Sequence, residues 1–139
     1  MLKIIICLLC LSYALMPVLA EDTLSLRNVM QDINRAYTDL SKGIMLEDWK
    51  LIKRSANSIA FHAKPKSEVP LIARELKGDF AKFKSFDMRV HSAGTNIIKA
   101  VSQKKMGMVI SNTQVMLSNC VQCHTEFRTR IIGALRPSK

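Results

Sequence analysis

MGMVISNTQVMLSNCVQCHTEFRTRI, residues 106–131, carries Met106, Val109, Thr113, Met116, Cys120, Cys123, Phe127 and Ile131 at steps of three and four residues. That period draws one stripe along an α-helix, whereas a half-buried strand would alternate at every second residue. No proline interrupts the run. Two thiols stand on the stripe one turn apart, and a histidine follows the second at once.

The same period recurs three times towards the N-terminus. Leu26, Met30, Ile33, Tyr37, Leu40 and Ile44 form a first stripe, with Asp22 or Thr23 to cap the helix and Gly43 to end it. Trp49, Ile52, Ala56, Ile59 and Ala63 form a second. Pro65 and Pro70 bracket a polar connector, Lys64 to Val69, which is expected to be a loop. Leu76, Phe80, Phe83, Asp87, Val90, Gly94, Ile97 and Val101 form the third. No segment alternates with period two, so no strand is expected. The prediction is an all-α fold in which four helices of roughly 16–28 residues pack as an antiparallel up-down-up-down four-helix bundle. That topology gathers the start of the first helix, the end of the second, the start of the third and the end of the fourth. All five phenylalanines, Phe61, Phe80, Phe83, Phe86 and Phe127, map to this end. Such a cluster suits either the wall of a pocket for a flat apolar ligand or a Phe-rich core.

A chain of 139 residues is the size of one domain, and 48% hydrophobic with 23% charged residues excludes a disordered chain. Five glycines and four prolines exclude collagen-like and turn-dense all-β architectures. Residues 1–20 read as a signal peptide: Lys3 is basic, Ile4 to Leu15 is almost unbroken apolar sequence, and Val18-Leu19-Ala20 offers a cleavage site before Glu21. The apolar run falls short of the ~20 residues needed to span a bilayer, so no transmembrane segment is expected after cleavage. The domain is then residues 21–139, exported to the periplasm. It keeps 20 basic and 11 acidic residues, a net charge of +9. Cys7 and Cys10 leave with the signal, and Cys120 and Cys123 remain, too few for a disulfide framework.

Cys120-Val121-Gln122-Cys123-His124 is a C-x-x-C-H motif. On a helix this spacing lets both thiols reach the two vinyl groups of one porphyrin, with His124 as an axial donor to its iron. A closed zinc site would need four ligands, and only His62 and His91 remain as further histidines, with no second cysteine pair. A thioredoxin-like dithiol wants a β-sheet scaffold. A chance C-x-x-C also occurs, at Cys7-Leu8-Leu9-Cys10, but it lacks the histidine and is removed. One covalently bound haem c outweighs these readings and agrees with export, because such attachment is performed outside the cytoplasm.

The run C-V-Q-C-H-T-E-F-R at residues 120–128, with Leu26-Arg27-Asn28-Val29-Met30 in the first helix, resembles the class II c-type cytochromes, the cytochrome c-prime family. The resemblance covers essentially the whole chain after the signal. It implies thioethers at Cys120 and Cys123, His124 as proximal iron ligand, and Arg27 and Arg128 as contacts for the haem propionates. It also implies a homodimer, since members are often dimeric. High-spin members leave the distal face of the iron without a ligand and bind small gases such as nitric oxide. Low-spin members ligate the iron there with a first-helix methionine and resemble electron carriers. Met30 matches that methionine. It lies on the first stripe, and antiparallel neighbours put it level with His124.

The expected function is therefore one-electron transfer without catalysis, with gas binding as the alternative. Phe80, Phe83 and Phe127 are candidates for the pocket wall. His62, the competing distal ligand, is expected to be exposed at a helix end, and His91 to make a polar contact mid-helix. Met45, Met88, Met106, Met108 and Met116 are expected in the core or an interface. Lys82, Lys84, Arg128, Arg130, Arg136 and Lys139 fall near the motif's end of the bundle and would steer the protein to an acidic redox partner or an anionic membrane face. Nucleic-acid binding is disfavoured by export, by an aromatic content of only 6%, and by the lack of any known module.

Overall fold

Residues 24–136 of the computed structural model are described, and they form helices without a strand. The proposed signal peptide, the caps Asp22 and Thr23, and Lys139 lie outside the described residues. The elements are α1 (Leu26–Met45), α2 (Trp49–Ala60), α3 (Val69–Leu76), a short 3-10 turn (Lys77–Asp79), α4 (Phe80–Ser102) and α5 (Met106–Ala134). None is long and apolar enough to cross a membrane.

The three-and-four spacing converts directly into burial. On α5, Val109, Met116 and Phe127 are fully buried and Thr113 and Ile131 nearly so. On α2, Ile52, Ala56 and Ile59 have no exposed surface. Local chemistry starts these helices: Ser25 Oγ accepts from the Asn28 N–H (3.2 Å), and the Asp48 carboxylate accepts from the Leu51 N–H (2.9 Å). Each cap satisfies a donor that the first turn leaves without a partner.

The chain departs from the sequence expectation in three places. First, α1 runs through Gly43 to Met45. A Cβ at Gly43 would lie 3.0 Å from Ile52, so the glycine serves the approach of α2 rather than a helix end. Second, α2 stops at Ala60, and Ala63 is exposed beyond it. Third, the connector is a loop only as far as Glu68. Val69–Leu76 is helical, with Pro70 in the first turn, where a missing N–H costs nothing. Ile72 and Leu76 are buried, so the apolar surface they cover outweighs the proline signal.

Two apolar clusters result. The larger joins α1, α2, α4 and α5 through Leu40, Ile52, Ile59, Ile97, Val109 and Met116. The smaller, at the other end of α5, holds Ile72, Leu76, Phe86, Phe127 and Ile131, with Leu26, Phe80, Phe83 and Cys123 against it. Four phenylalanines thus share one end, but Phe61 does not join them: it follows the end of α2 and is 67% exposed.

The helices pack chiefly in the order α1 on α2, α2 on α4 and α4 on α5, whereas α1 and α5 approach one another at only a few positions. Polar contacts pin the ends. Glu68 accepts from the Leu26 N–H, Lys82 pairs with Glu126, and Arg130 pairs with Asp79 (2.8 Å). At the opposite end the Lys104 ammonium lies 4.8 Å from the centre of the Trp49 ring.

α2 crosses α4 closely at Gly94. A Cβ at Gly94 would stand 2.9 Å from Ala60 Cβ and 3.2 Å from the Ala56 carbonyl oxygen. Gly94→Ala is therefore expected to cost about 1–3 kcal/mol by overpacking. Gly133→Ala, where a Cβ meets nothing within 4 Å, should be neutral or gain up to about 1 kcal/mol from helix propensity. Urea unfolding of the two variants checks this, and equal midpoints would refute the tight crossing.

Candidate functional site

Cys120 and Cys123 are free thiols, both half-buried on α5. Cys120 packs against the larger cluster beside Tyr37 of α1, and Cys123 against the smaller one beside Phe83 and Phe127. At about 100° per residue, Cys123 lies ~60° to one side of Cys120 and His124 ~40° to the other. The Cys123 flank is the α4 flank, because Arg89 of α4 bonds Asn119 on that side at 3.4 Å. His124 therefore faces away from α4 and is exposed. Leu117 and Val121 share its flank and are exposed as well. α5 thus carries apolar surface on two sides, one buried and one open.

Burial raises both thiols. Cys123 is pushed up to about 11 by burial first, then by the neighbouring Cys120, Asp87 and Glu126 charges. Cys120 is raised by burial, and Tyr37 by burial and then by Cys120. Near neutrality both cysteines are thiols rather than thiolates.

Met30 is 37% exposed, whereas Val29, one residue earlier, is 2% exposed. The expectation that Met30 lies on the buried stripe is thus corrected by one residue. The reason is that α1 packs mainly on α2, which turns its buried face towards Val29 and leaves Met30 at the edge. Met30 shares a helix flank with Leu26, Ile33 and Tyr37. Leu26 packs with the Cys123 cluster and Tyr37 with the Cys120 cluster, so Met30 lies between those two levels.

Arg27 and Arg128 are exposed and make no ion pair among the described residues. The Phe83 ring meets Phe127 edge-on at 5.9 Å, and Phe86 meets Phe127 at 6.2 Å. Ile72 and Leu76 of α3 close over these rings. Of the basic residues expected near this end, Lys82 and Arg130 are engaged in helix-bridging ion pairs, while Lys84, Arg128 and Arg136 are exposed. Met116 is core, whereas Met45, Met88 and Met108 are exposed.

A second polar group lies between α2 and α4. The His62 side chain is only 10% exposed, which corrects its expected place at the surface. Its Nε2 lies 3.2 Å from Asp87 Oδ1, and His91 Nε2 lies 3.3 Å from Asp87 Oδ2. The two imidazoles stack with centroids 4.6 Å apart. Burial works against ionisation of Asp87, but the His62 bond and the two histidine charges outweigh it and hold the carboxyl below its ordinary value. The bond to Asp87 raises His62 against the opposing effect of burial. The expected mid-helix polar contact of His91 is present, to the Ala60 carbonyl. The sequence signal for this group was Asp87 on an apolar stripe with His91 one turn later. Its third member, His62, comes from a different helix end and needs the fold.

No protein-family model, curated protein or solved structure matches this chain.

With a pKa of about 11, Cys123 in the folded, haem-free chain should alkylate with iodoacetamide at pH 8 about a hundredfold more slowly than an ordinary thiol. The rate should climb about tenfold per pH unit up to that pKa. Peptide mass spectrometry over a pH series gives the profile, and a plateau below pH 9 would contradict the burial described.

Proposed function

We propose that this chain is an exported, periplasmic c-type cytochrome of the c-prime class, carrying one electron on an antiparallel up-down-up-down four-helix bundle. The observation that carries the reading is the C-x-x-C-H motif on α5, with both thiols free and His124 open beside the line where α1 leaves α5. The donor set fits a covalent porphyrin: two unpaired thiols one turn apart, with an imidazole ~40° round the helix from the first of them. The exposed Leu117 and Val121 beside His124 are apolar surface that a bound ring would cover. The bundle topology is supported by the end contacts, which join the start of α1 to the α2–α3 connector and the start of α4 to the end of α5.

In this reading Cys120 and Cys123 hold the ring, His124 is the proximal ligand and Met30 the distal one. When bound, haem c supplies a one-electron ferric/ferrous couple. Were His124 and Met30 both to hold the iron, no position would be left on it for a substrate, which argues for a carrier and not a catalyst. Arg27 and Arg128, exposed and without ion pairs among the described residues, are free to meet the propionates. Net positive charge suits an acidic redox partner. The open apolar flank of α5, which includes Ile110 and Ile132, suits a second copy of the chain.

The exposure of Met30 favours a second reading. A methionine that its neighbours do not clamp leaves the distal position open, and the chain would then bind small gases on a five-coordinate iron. The spectrum of the protein secreted by a host competent in cytochrome maturation decides. We expect low-spin ferric haem with a sulfur-to-iron charge-transfer band, converted to high-spin, carbon-monoxide-binding haem by Met30→Ala. High-spin wild-type protein selects gas binding instead. Colourless protein with both thiols alkylatable would end the haem reading altogether.

A further inference from the structure

The His62–Asp87–His91 group has no part in the function proposed above. Its hydrogen bonds define its chemistry. His62 Nδ1 lies 2.9 Å from the Ala63 carbonyl oxygen, and His91 Nδ1 bonds the Ala60 carbonyl. A carbonyl oxygen can only accept, so each Nδ1 carries a proton. In its neutral form each ring then presents a bare lone pair at Nε2. Both Nε2 atoms face the Asp87 carboxylate, itself an acceptor. Lone pairs aimed at lone pairs repel unless a proton on Nε2, as in the His–Asp ion pairs, or a metal ion lies between them.

The spacing suits a metal ion. In a tetrahedral site with bonds of about 2.0–2.1 Å, ligand atoms stand roughly 3.3–3.4 Å apart. His62 Nε2 lies 3.2 Å from Asp87 Oδ1 and His91 Nε2 lies 3.3 Å from Asp87 Oδ2, and a set of one ligand atom from each residue falls within 4.8 Å, so a small approach of the rings to a shared oxygen would close the site. Donation of the remote ring nitrogen to a carbonyl is also how metal-bound histidines are held in one tautomer and one orientation. Here both histidines have that support. Gly94 makes it available, because it admits the last turn of α2, with the Ala60 carbonyl, onto α4.

We propose that His62, Asp87 and His91 bind one divalent transition cation of the zinc class. Two imidazole nitrogens, which are borderline donors, with one carboxylate oxygen make a set that such ions accept, whereas calcium and magnesium require shells of oxygen. The fourth position is left to water. The ion has a way in, because the His91 and Asp87 side chains keep 26% and 38% of their surface exposed. Bound there, it joins the segment after α2 to α4 at their closest crossing.

The test uses the full secreted protein, stripped with a chelator and with any free thiol blocked by iodoacetamide. Success or failure of the haem reading then leaves the result untouched. Zinc chloride is titrated by calorimetry in a non-coordinating buffer. We expect one equivalent to bind and the melting temperature to rise with it. Asp87→Asn and His62→Ala each remove a ligand, so each should weaken binding by more than the ~10–100-fold that losing a ligand's supporting partner costs, and abolish the thermal shift. His62 lies beyond the end of α2, so His62→Ala leaves helix content unchanged by circular dichroism and stays informative if Asp87→Asn unfolds. Zinc binding absent from the wild type, or equally tight in His62→Ala, would overturn the site.

Discussion

The missing Cβ of Gly94 sets how close α2 and α4 can come, and most of the arrangement follows from that distance. With the two helices in contact at Ala60, the larger apolar cluster closes around Ile59, Val90 and Ile97. The Ala60 carbonyl, a helix-end acceptor with no partner further along α2, is delivered to His91. The chain beyond Ala60 then places His62 over Asp87. One close approach thus organises both an apolar core and a polar cluster, and a larger residue at position 94 would separate them.

α2 packs on both α1 and α4. Gly43 admits Ile52 about as closely as Gly94 admits Ala60, so α1 is held against α2 near its C-terminal end and meets α5 at only a few positions. The consequence falls on α5. A helix that buries Val109, Met116 and Phe127 while exposing Ile110, Leu117, Val121 and Ile132 is apolar on two sides. At about 25 cal/mol per Å² of apolar surface, covering that second flank is worth several kcal/mol to whatever covers it. His124 lies on the same flank, and Met30 lies exposed on the flank of α1 whose Leu26 and Tyr37 pack with the two cysteine clusters. The two proposed axial donors are thus the residues left open when α1 commits itself to α2.

Helix identity was legible because burial imposes a period on every long helix. All but the first residue and the thiols on the α5 stripe are buried, with no shift in phase. What could not be read was set by long-range contact. Pro70 looks like a breaker, but the cover that Ile72 and Leu76 give to Phe86 and Phe127 makes it the opening turn of α3. Gly43 looks like a terminator, but Ile52 decides its use. The phase of α1 slipped by one residue, from Met30 to Val29, because two neighbours compete for that helix and sequence does not rank them. The tight turns after α1 and α4 place Glu47 and Lys104 at φ of 51° and 52°, left-handed positions without the glycine that would announce them. In the candidate site the cysteines and His124 were legible as a local motif. His62 and Asp87, 25 residues apart, were not.

Charge divides in the same way between staple and field. Lys82 and Arg130 sit where charge and topology put a docking patch, yet each is held against a carboxylate across a helix boundary. Paired charges this close form dipoles, whose field falls off faster with distance than that of a lone charge, and salt screens both beyond about 8 Å. They fix α4 and the chain before it to α5 and add little to long-range attraction. The field that steers an acidic partner must come from cations without a nearby anion, such as Arg128, Arg136 and Lys84, together with the net excess of the chain. Arg128 also stands one helical turn from His124. Long-range attraction and the proposed electron exit would then meet on the open flank of α5, while the ion pairs hold the opposite flank shut.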